Sequence, residues 1–462
     1  QKRSTAVTID GEDYGPAVVQ YYYQSALNTA YYNSVMGSST FDYNVDPAEQ
    51  VYDEETGQTW RDYLLEQAID DLTQVTVLVH AAEAEGYTLT QKDQAYLESE
   101  LATLDSTWRS SGSYDSLSSY LKLNYGSYMD EDTFQSLYAD QVLADSYRQH
   151  YQDSLTYTDE ETEAYYNEHT NDLDTFGYTV FTVQATVEEQ TDEEGNTVEM
   201  TDEEKTAALE TAKADALATA QAIQSRLTNG EDAQALADEY ADALYSSSIH
   251  TTAMGSTFSS AAYADWLYDA ARQSGDITLA ELDRSESSAY NYYVVQFDSR
   301  TRDDSATADV RHILIGAASS GTTPIQEEFD AAEAEAQALL DQWKAGDATE
   351  DSFAALAVQN TDDSGSQSTG GLYSGISSTD SLEPNFLNWA LDPDRQPGDT
   401  GIVKNESSSI QGWHIMYFVG WDDPAWEYTV KSTWKESDTS EWLASLTENV
   451  EAVHGSGLDL VS

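Results

Sequence analysis

The chain has 462 residues, enough for roughly two to four domains that each bury a core. It carries 20 Lys and Arg against 85 Asp and Glu, a formal charge of −65, which repels nucleic-acid phosphates and anionic membrane surfaces. With 40% apolar residues and no Cys, the composition indicates folded acidic domains without disulfides, thiolate metal sites or Cys nucleophiles.

Residues 1–172 are predicted to form a helical lobe. Apolar residues recur there every three or four positions, at Leu64, Ala68, Leu72, Val75 and Val79. This spacing predicts a long helix that ends near Gly86, a residue suited to a C-terminal cap. Turn and capping residues predict further helix starts at Pro16, Asp46-Pro47, Thr90 and Thr158.

The remainder of the chain repeats one order of elements. A strand at 178–183 is followed by a helix, and the same order returns at 310–315. Downstream, Trp266 is matched by Phe386 and Tyr293 by His414, at offsets of 386 − 266 = 120 and 414 − 293 = 121. The sequence therefore predicts two α/β copies, at 173–304 and 305–424. A helical tail at 425–462, with an amphipathic helix at 441–450, is expected to dock on the first lobe.

Seven blocks of the second copy resemble the parvulin-type peptidyl-prolyl isomerases. They are Val310–Ile315, Phe353–Ala357, Thr361-Asp362, Gly370-Gly371, Leu382 to Phe386, Pro397-Gly398-Asp399 and Gly412–Met416. The whole arrangement resembles the exported foldases of the SurA and PrsA kind. The resemblance implies a multidomain α+β protein with a helical N-terminal lobe, two tandem parvulin-like domains with small antiparallel sheets flanked by helices, and a C-terminal helix.

Two histidines of these blocks are candidates for a shared site. His312 and His414 each lie within an apolar strand, and adjacent strands would bring the two rings together. Each residue alone is equally typical of a hydrogen-bonded core histidine. The resemblance implies that they are the central imidazole pair. It also places Asp362 where the family carries Cys or Asp, although on its own Asp362 is typical of a turn or helix cap.

The resemblance implies that Leu382 and Phe386 form the apolar slot for the proline ring and that Ser409 adds a hydroxyl. By themselves the two apolar residues are as typical of ordinary core. The segment 370–375 departs from the family pattern, so the loop around the pocket is expected to differ. In the first copy the strand 178–183 has no His and Tyr293 stands in place of His414, so that copy is expected to keep the fold without the activity.

The function implied by the resemblance is peptidyl-prolyl cis-trans isomerisation combined with foldase activity on unfolded exported polypeptides that contain X-Pro bonds. The expected location is extracytoplasmic, either secreted or anchored through an N-terminal segment absent from this chain. No cofactor, metal, nucleic-acid partner or membrane insertion is expected, because the seven His show no metal-binding spacing and no apolar run is long enough to span a bilayer.

Two alternatives stay open. The first is a holdase chaperone that uses parvulin domains as a non-catalytic scaffold, and the second is an acidic surface protein without clients. Twenty-one of the 32 Tyr precede residue 170. Because Tyr combines apolar area with a polar rim, this enrichment predicts a helical lobe that holds unfolded chains. The alternative is that the rings fill the core of the lobe itself.

Overall fold

The structure is a computed structural model that describes residues 4–187, 190–191, 197–198, 200–283, 289–318 and 321–462. The first lobe is mainly helical, with two short hairpins. Its elements are β1 (Val7–Ile9), β2 (Glu12–Tyr14), α1 (Pro16–Val35), β3 (Val51–Asp53), β4 (Gln58–Thr59), α2 (Trp60–Glu85), α3 (Gln91–Ser111), α4 (Leu117–Tyr125), α5 (Glu131–Ser154), α6 (Asp159–Glu168) and α7 (Thr170–Leu173).

Local sequence signals explain most helix boundaries in this lobe. Reciprocal capping boxes at Thr90 and Thr158 begin α3 and α6, since each Thr hydroxyl accepts an N–H that the first turn would otherwise leave unpaired. Helix α2 ends at Gly86, whose φ of 69° is the left-handed conformation of a glycine cap. The helix predicted at Asp46-Pro47 is wrong: a single 3-10 turn at Pro47–Glu49 precedes the β3–β4 hairpin. No apolar stripe follows the Pro to sustain a helix.

The next unit is built on a four-stranded antiparallel sheet. Its described elements are β5 (Thr175–Thr186), β6 (Gln190–Thr191), β7 (Thr197–Val198), α8 (Asp202–Thr228), α9 (Ala233–Glu239), β8 (Ser246–Met254), α10 (Ala264–Tyr268), β9 (Ile277–Asp283) and β10 (Ala289–Thr301). The strand order is β8-β5-β10-β9.

A second four-stranded sheet follows with equivalent connections. Its elements are β11 (Ala306–Gly316), α11 (Gln326–Ala345), α12 (Glu350–Asn360), β12 (Leu372–Ile376), α13 (Pro384–Ala390), β13 (Thr400–Asn405) and β14 (Gly412–Pro424). The strand order β12-β11-β14-β13 reproduces that of the preceding sheet, position for position. The predicted mixed α+β class with small antiparallel sheets is confirmed.

The two faces of the second sheet bury separate cores. One face packs on α11 and α12 through residues that include Ile313, Trp343 and Phe353. The opposite face packs on α13 through residues that include Val310, Phe386 and Met416. Because side chains alternate between faces along a strand, His312 and His414 belong to this second face, beside α13.

The chain ends in α14 (Ala425–Thr447) and β15 (Ala452–His454). The helix is longer than the predicted 441–450 segment, since its first half also buries Trp426 and Val430. Its second half packs on α2 and α5 through Trp442, which stacks on Tyr151 at 3.8 Å. Strand β15 pairs with β1, so both ends of the chain meet in one sheet. No helix in the described ranges has the length and apolarity to cross a membrane.

Candidate functional site

A pair of buried histidines lies at the centre of the α13 face of the second sheet. His312 is on β11 and His414 on the adjacent antiparallel strand β14. His312 pairs with Met416, so His414 is two residues away from the position directly opposite His312 and lies on the same face. Their Nδ1 atoms are 3.0 Å apart, and the rings are 2% and 6% exposed. Such a contact requires one nitrogen to donate a proton and the other to accept it.

A carboxylate fixes the orientation of the first ring. Oδ2 of Asp363 lies 3.0 Å from His312 Nε2 and also accepts a hydrogen bond from Ser366 Oγ at 2.6 Å. Its other oxygen accepts the backbone N–H of Gly365. Because the Asp363 carboxylate accepts the proton on Nε2 of His312, the two facing Nδ1 atoms share one proton, which one ring donates and the other accepts. The result is a carboxylate–imidazole–imidazole chain.

The residue predicted for this carboxylate position, Asp362, lies elsewhere. Its Oδ2 accepts the backbone N–H of Gly316 at 2.7 Å, and its own N–H donates to the carbonyl of Leu314. These contacts connect the loop after α12 to the C-terminal end of β11. The carboxylate that contacts the imidazole pair therefore belongs to Asp363, one residue further along the same loop.

An aromatic wall covers the histidines. The ring of Phe386, on α13 and 3% exposed, stands edge-on to His312 at 5.4 Å and to His414 at 5.2 Å. Tyr373 on β12 packs edge-on to His312 at 5.0 Å, and its hydroxyl donates to Asp363 at 3.3 Å. Leu382 borders the same cluster and is only partly buried. Leu382 and Tyr373 are thus the members that a ligand reaches from solvent.

The structure brings four of the six residues predicted for the site into one cluster and leaves two outside it. The four are His312, His414, Phe386 and Leu382. Asp362 is the first exception. Ser409 is the second: its side chain is exposed, and its backbone carbonyl accepts the N–H of Gly321.

Three members of the site were not predicted: Asp363, Ser366 and Tyr373. The sequence contains a signal for two of them. Asp363 directly follows Asp362, and Tyr373 lies in the segment 370–375 whose departure from the family pattern marked an altered pocket loop. Nothing in the sequence singles out Ser366 from the other serines of its loop.

Burial sets the protonation of the central groups. Burial and, to a smaller degree, the neighbouring His312 lower the pKa of His414 to about 3, while Asp363 opposes the shift. The pKa of Asp363 falls well below its usual range because His312 and Ser366 hydrogen-bond its charged form against the opposing cost of burial. At neutral pH the site therefore holds a neutral His414 and an ionised Asp363.

In the described part of the chain, no group of three or more His, Asp or Glu side chains is arranged so that it could hold a metal ion.

The first sheet carries a different set of residues at the equivalent place. Phe297 and Phe418 align the two closing strands, because each accepts a backbone N–H from a preceding turn glycine. Counted from these anchors, Tyr293 stands at the position of His414, and Val180 at that of the first histidine. The ring of Tyr293 packs on Tyr263 at 5.4 Å. Apolar and phenolic groups thus replace the imidazole pair.

One comparison with known proteins, with family models, agrees with the parvulin resemblance; the match begins in β10 and continues through the second copy. Residues 292–418 match the family model described as the PPIC-type PPIase domain. A search of curated proteins found no match. Among solved structures, a peptidylprolyl isomerase, PrsA, from Bacillus anthracis matches with 19% identity over 31% of this chain, at a TM-score of 0.19. The chain covers 59% of that protein's length, so the match spans little more than half of it.

Proposed function

We propose that residues 292–418, which match the model of the PPIC-type PPIase domain, act as a parvulin-type peptidyl-prolyl cis-trans isomerase, and that the catalytic centre is the Asp363–His312–His414 chain beneath Phe386. The observation that carries this proposal is the 3.0 Å contact between the two Nδ1 atoms within an apolar wall. Hydrogen bonds within a buried polar chain of this kind hold its members in fixed positions, and here they join Asp363 to His312 and His312 to His414.

The geometry suits the chemistry of amide rotation. An X-Pro bond isomerises over a barrier of about 18–20 kcal/mol because resonance must be broken, and no covalent intermediate is required. The site must therefore bind the twisted amide more tightly than the planar one. Phe386 and Leu382 offer an apolar seat for the pyrrolidine ring, where the amide loses water. The imidazole pair, oriented by Asp363, supplies fixed dipoles that favour the pyramidal nitrogen.

The first sheet is proposed to be a degenerate parvulin-like domain without activity. Its strand order and helix order match those of the second sheet, which supports a common fold. Because Tyr293 and Val180 replace the histidines, it lacks the hydrogen-bonded pair on which the proposed mechanism depends. Its role is then structural or limited to binding.

A foldase role is proposed for the helical lobe, with unfolded exported polypeptides as clients. Residues 14–41 contain no Asp, Glu, Lys or Arg, in a chain whose formal charge is −65. Most of the large apolar side chains exposed in the described regions lie between the last turns of α1 and strand β3: Tyr31, Tyr32, Val35, Met36, Tyr43, Val45, Val51 and Tyr52. An exposed apolar patch of this extent is typical of a binding surface.

A cavity of about 640 Å³ adjoins this patch and lies between α1, α2 and residues 37–63. We call it the apical groove. Its walls include Ala26, Ala30, Trp60 and Tyr63, and Tyr52 stacks on Tyr63 at 3.8 Å. The volume is within the range of about 300–1,000 Å³ that ligand sites occupy, enough for a few residues of an extended peptide. The walls also include the polar residues Asn33, Gln67 and Asp71, so the groove has room for a short client segment of mixed polarity. The extracytoplasmic location proposed for the protein follows from the foldase resemblance.

Two measurements test the proposal. Exchange NMR on a short X-Pro peptide with the full chain is expected to show accelerated cis-trans interconversion, and no acceleration would contradict the isomerase assignment.

For the exposed apolar patch, a Tyr31→Ser/Tyr32→Ser double variant is expected to suppress aggregation of an unfolded protein less well than the wild type. Tyr245→Ser, which removes a comparably exposed tyrosine from the first α/β unit, is the matched control. Equal suppression by all three proteins would show that the exposed patch does not bind clients.

A further inference from the structure

The loop that carries Asp363 is attached to helix α12. Gln367 donates from Nε2 to the carbonyl of Val358 at 2.8 Å. Gly370, at a φ of 68°, passes so close to α12 that a Cβ there would lie 2.7 Å from the Cβ of Ala354. These contacts hold the loop against α12, so a displacement of the helix also displaces the loop.

Arg311 adds a second attachment beside the histidine. Its Nε donates to Glu350 in the first turn of α12, and its Nη1 donates to the carbonyls of Thr369 and Gly370. The backbone N–H of the next residue, His312, donates to Gly371 at 2.9 Å. The position of α12 thus sets the position of the loop against the imidazole pair.

The outer face of α12 is covered by the helical lobe. Ala95 of α3 is buried together with Ala355 and Val358 of α12. At the start of both helices, the backbone N–H of Gln91 donates to Asp351 at 3.3 Å. Because the seam contains small side chains, the two helices pack closely, and a larger side chain in it would separate them.

We propose that α3 of the helical lobe is a positioning element for the isomerase site: by supporting α12 at Ala95, it holds Asp363 at hydrogen-bonding distance from His312. The inference rests on the proposed catalytic role of Asp363, and it makes the turnover of the isomerase domain depend on a lobe outside it. The apolar seat formed by Phe386 and Leu382 lies on the face of the sheet opposite α12. It belongs to a different apolar cluster from the one that joins α3 to α12.

The test uses the full chain with Ala95→Glu, which places a carboxylate in the buried seam. Because burial of an unpaired charge is unfavourable, the two helices are expected to separate and let water reach the carboxylate. We expect kcat/KM for an X-Pro peptide to fall at least fivefold, with most of the loss in kcat, because the apolar seat is unchanged. Ala102→Glu, at an exposed position of the same helix, is the matched control and is expected to leave both parameters unchanged.

A double-mutant cycle with Asp363→Asn separates positioning from general destabilisation. In the Asp363→Asn background, Ala95→Glu is expected to change kcat less than twofold. An equal loss in both backgrounds, or an Ala95→Glu protein as active as Ala102→Glu, would overturn the inference. If Ala95→Glu does not fold, Ala95→Val makes the same comparison with a smaller displacement. An inactive wild-type chain would instead refute the proposed function itself.

Discussion

The adjacent carboxylates Asp362 and Asp363 offer the sharpest test of the site geometry, since the same substitution to Asn has different consequences at each. The Asp363 carboxylate accepts from His312, Ser366 and Tyr373 on one oxygen and from Gly365 on the other. An Asn has one acceptor oxygen. Either the Gly365 N–H loses its acceptor, or the donors on the other oxygen, His312, Ser366 and Tyr373, lose theirs. The negative charge beside His312 is lost in both cases.

Hydrogen bonds to charged groups contribute about 1.5–3 kcal/mol each. If about 2 kcal/mol of that stabilises the transition state, Asp363→Asn lowers kcat/KM about 30-fold, because each 1.36 kcal/mol is a factor of ten. Asp362 accepts a single N–H, from Gly316, which an Asn oxygen also accepts. Asp362→Asn is therefore expected to retain activity within about twofold, since 2-fold corresponds to only about 0.4 kcal/mol.

The assay is exchange NMR or a coupled rate measurement on one X-Pro peptide, with the thermal unfolding midpoint of each variant recorded in parallel. Equal losses in the two variants, or a larger loss for Asp362→Asn, would refute the assignment of Asp363 to the imidazole pair.

Three further predictions concern stability and clients. Burial raises the pKa of Asp309 from 3.8 to about 6, so the folded state binds a proton more tightly than the unfolded state and stability falls as the pH rises between these values. Asp309→Asn, whose oxygen still accepts the Gly375 N–H, is expected to add about 1 kcal/mol at pH 7 in chemical denaturation, after solvent screening is allowed for, and nothing at pH 3; equal gains at both pH values would contradict this. Arg300→Met leaves the buried Asp174 without its 2.6 Å partner and is expected to cost about 3 kcal/mol in the same assay, whereas a cost below about 0.5 kcal/mol would show that the pair is immaterial. Suppression of aggregation is expected to be stronger for a basic unfolded protein than for an acidic one and to weaken with added salt, because the chain carries a charge of −65; salt-independent suppression would exclude this attraction.

Periodic and capping signals made much of the fold predictable. The stripe from Leu64 to Val79 and the glycine at 86 correspond to α2, and the capping Thr residues at 90 and 158 correspond to α3 and α6. Each of these signals acts within one or two turns of a helix, so it operates without knowledge of the rest of the chain. The parvulin domain was also recognisable, because its blocks combine residue type with order over more than a hundred positions.

The site was harder to predict where the answer depends on the path of a loop. His312 and His414 are on strands, where alternation determines the face of each side chain. Asp362 and Asp363 lie just after α12, and only the turn that follows Asn360 decides which carboxylate points at the histidines. Since both residues are Asp, residue type alone cannot show which of the two contacts the histidines.

The tail helix begins well before the predicted 441–450 segment. In its first half Trp426, Val430 and Trp434 recur every four residues, a helical spacing that the prediction did not use. The partner of this stripe, Tyr166 of α6 at 5.0 Å from Trp426, is far away in the sequence, so the spacing predicts the helix but not what it packs against.

The central claim is that isomerisation takes place in the second α/β unit, at the aromatic wall above the histidine pair. The most direct measurement compares X-Pro peptide exchange by the full chain carrying Phe386→Ala with the full chain carrying Phe258→Ala, which removes a similarly buried ring from the first unit. Both substitutions are expected to cost about 3–5 kcal/mol of stability, so the rates are compared at a temperature where both variants remain folded.

The account predicts that Phe386→Ala nearly abolishes catalysis, and lowers it more than Asp363→Asn does, while Phe258→Ala retains the wild-type rate. Retained activity in folded Phe386→Ala, or its loss in folded Phe258→Ala, would contradict the claim.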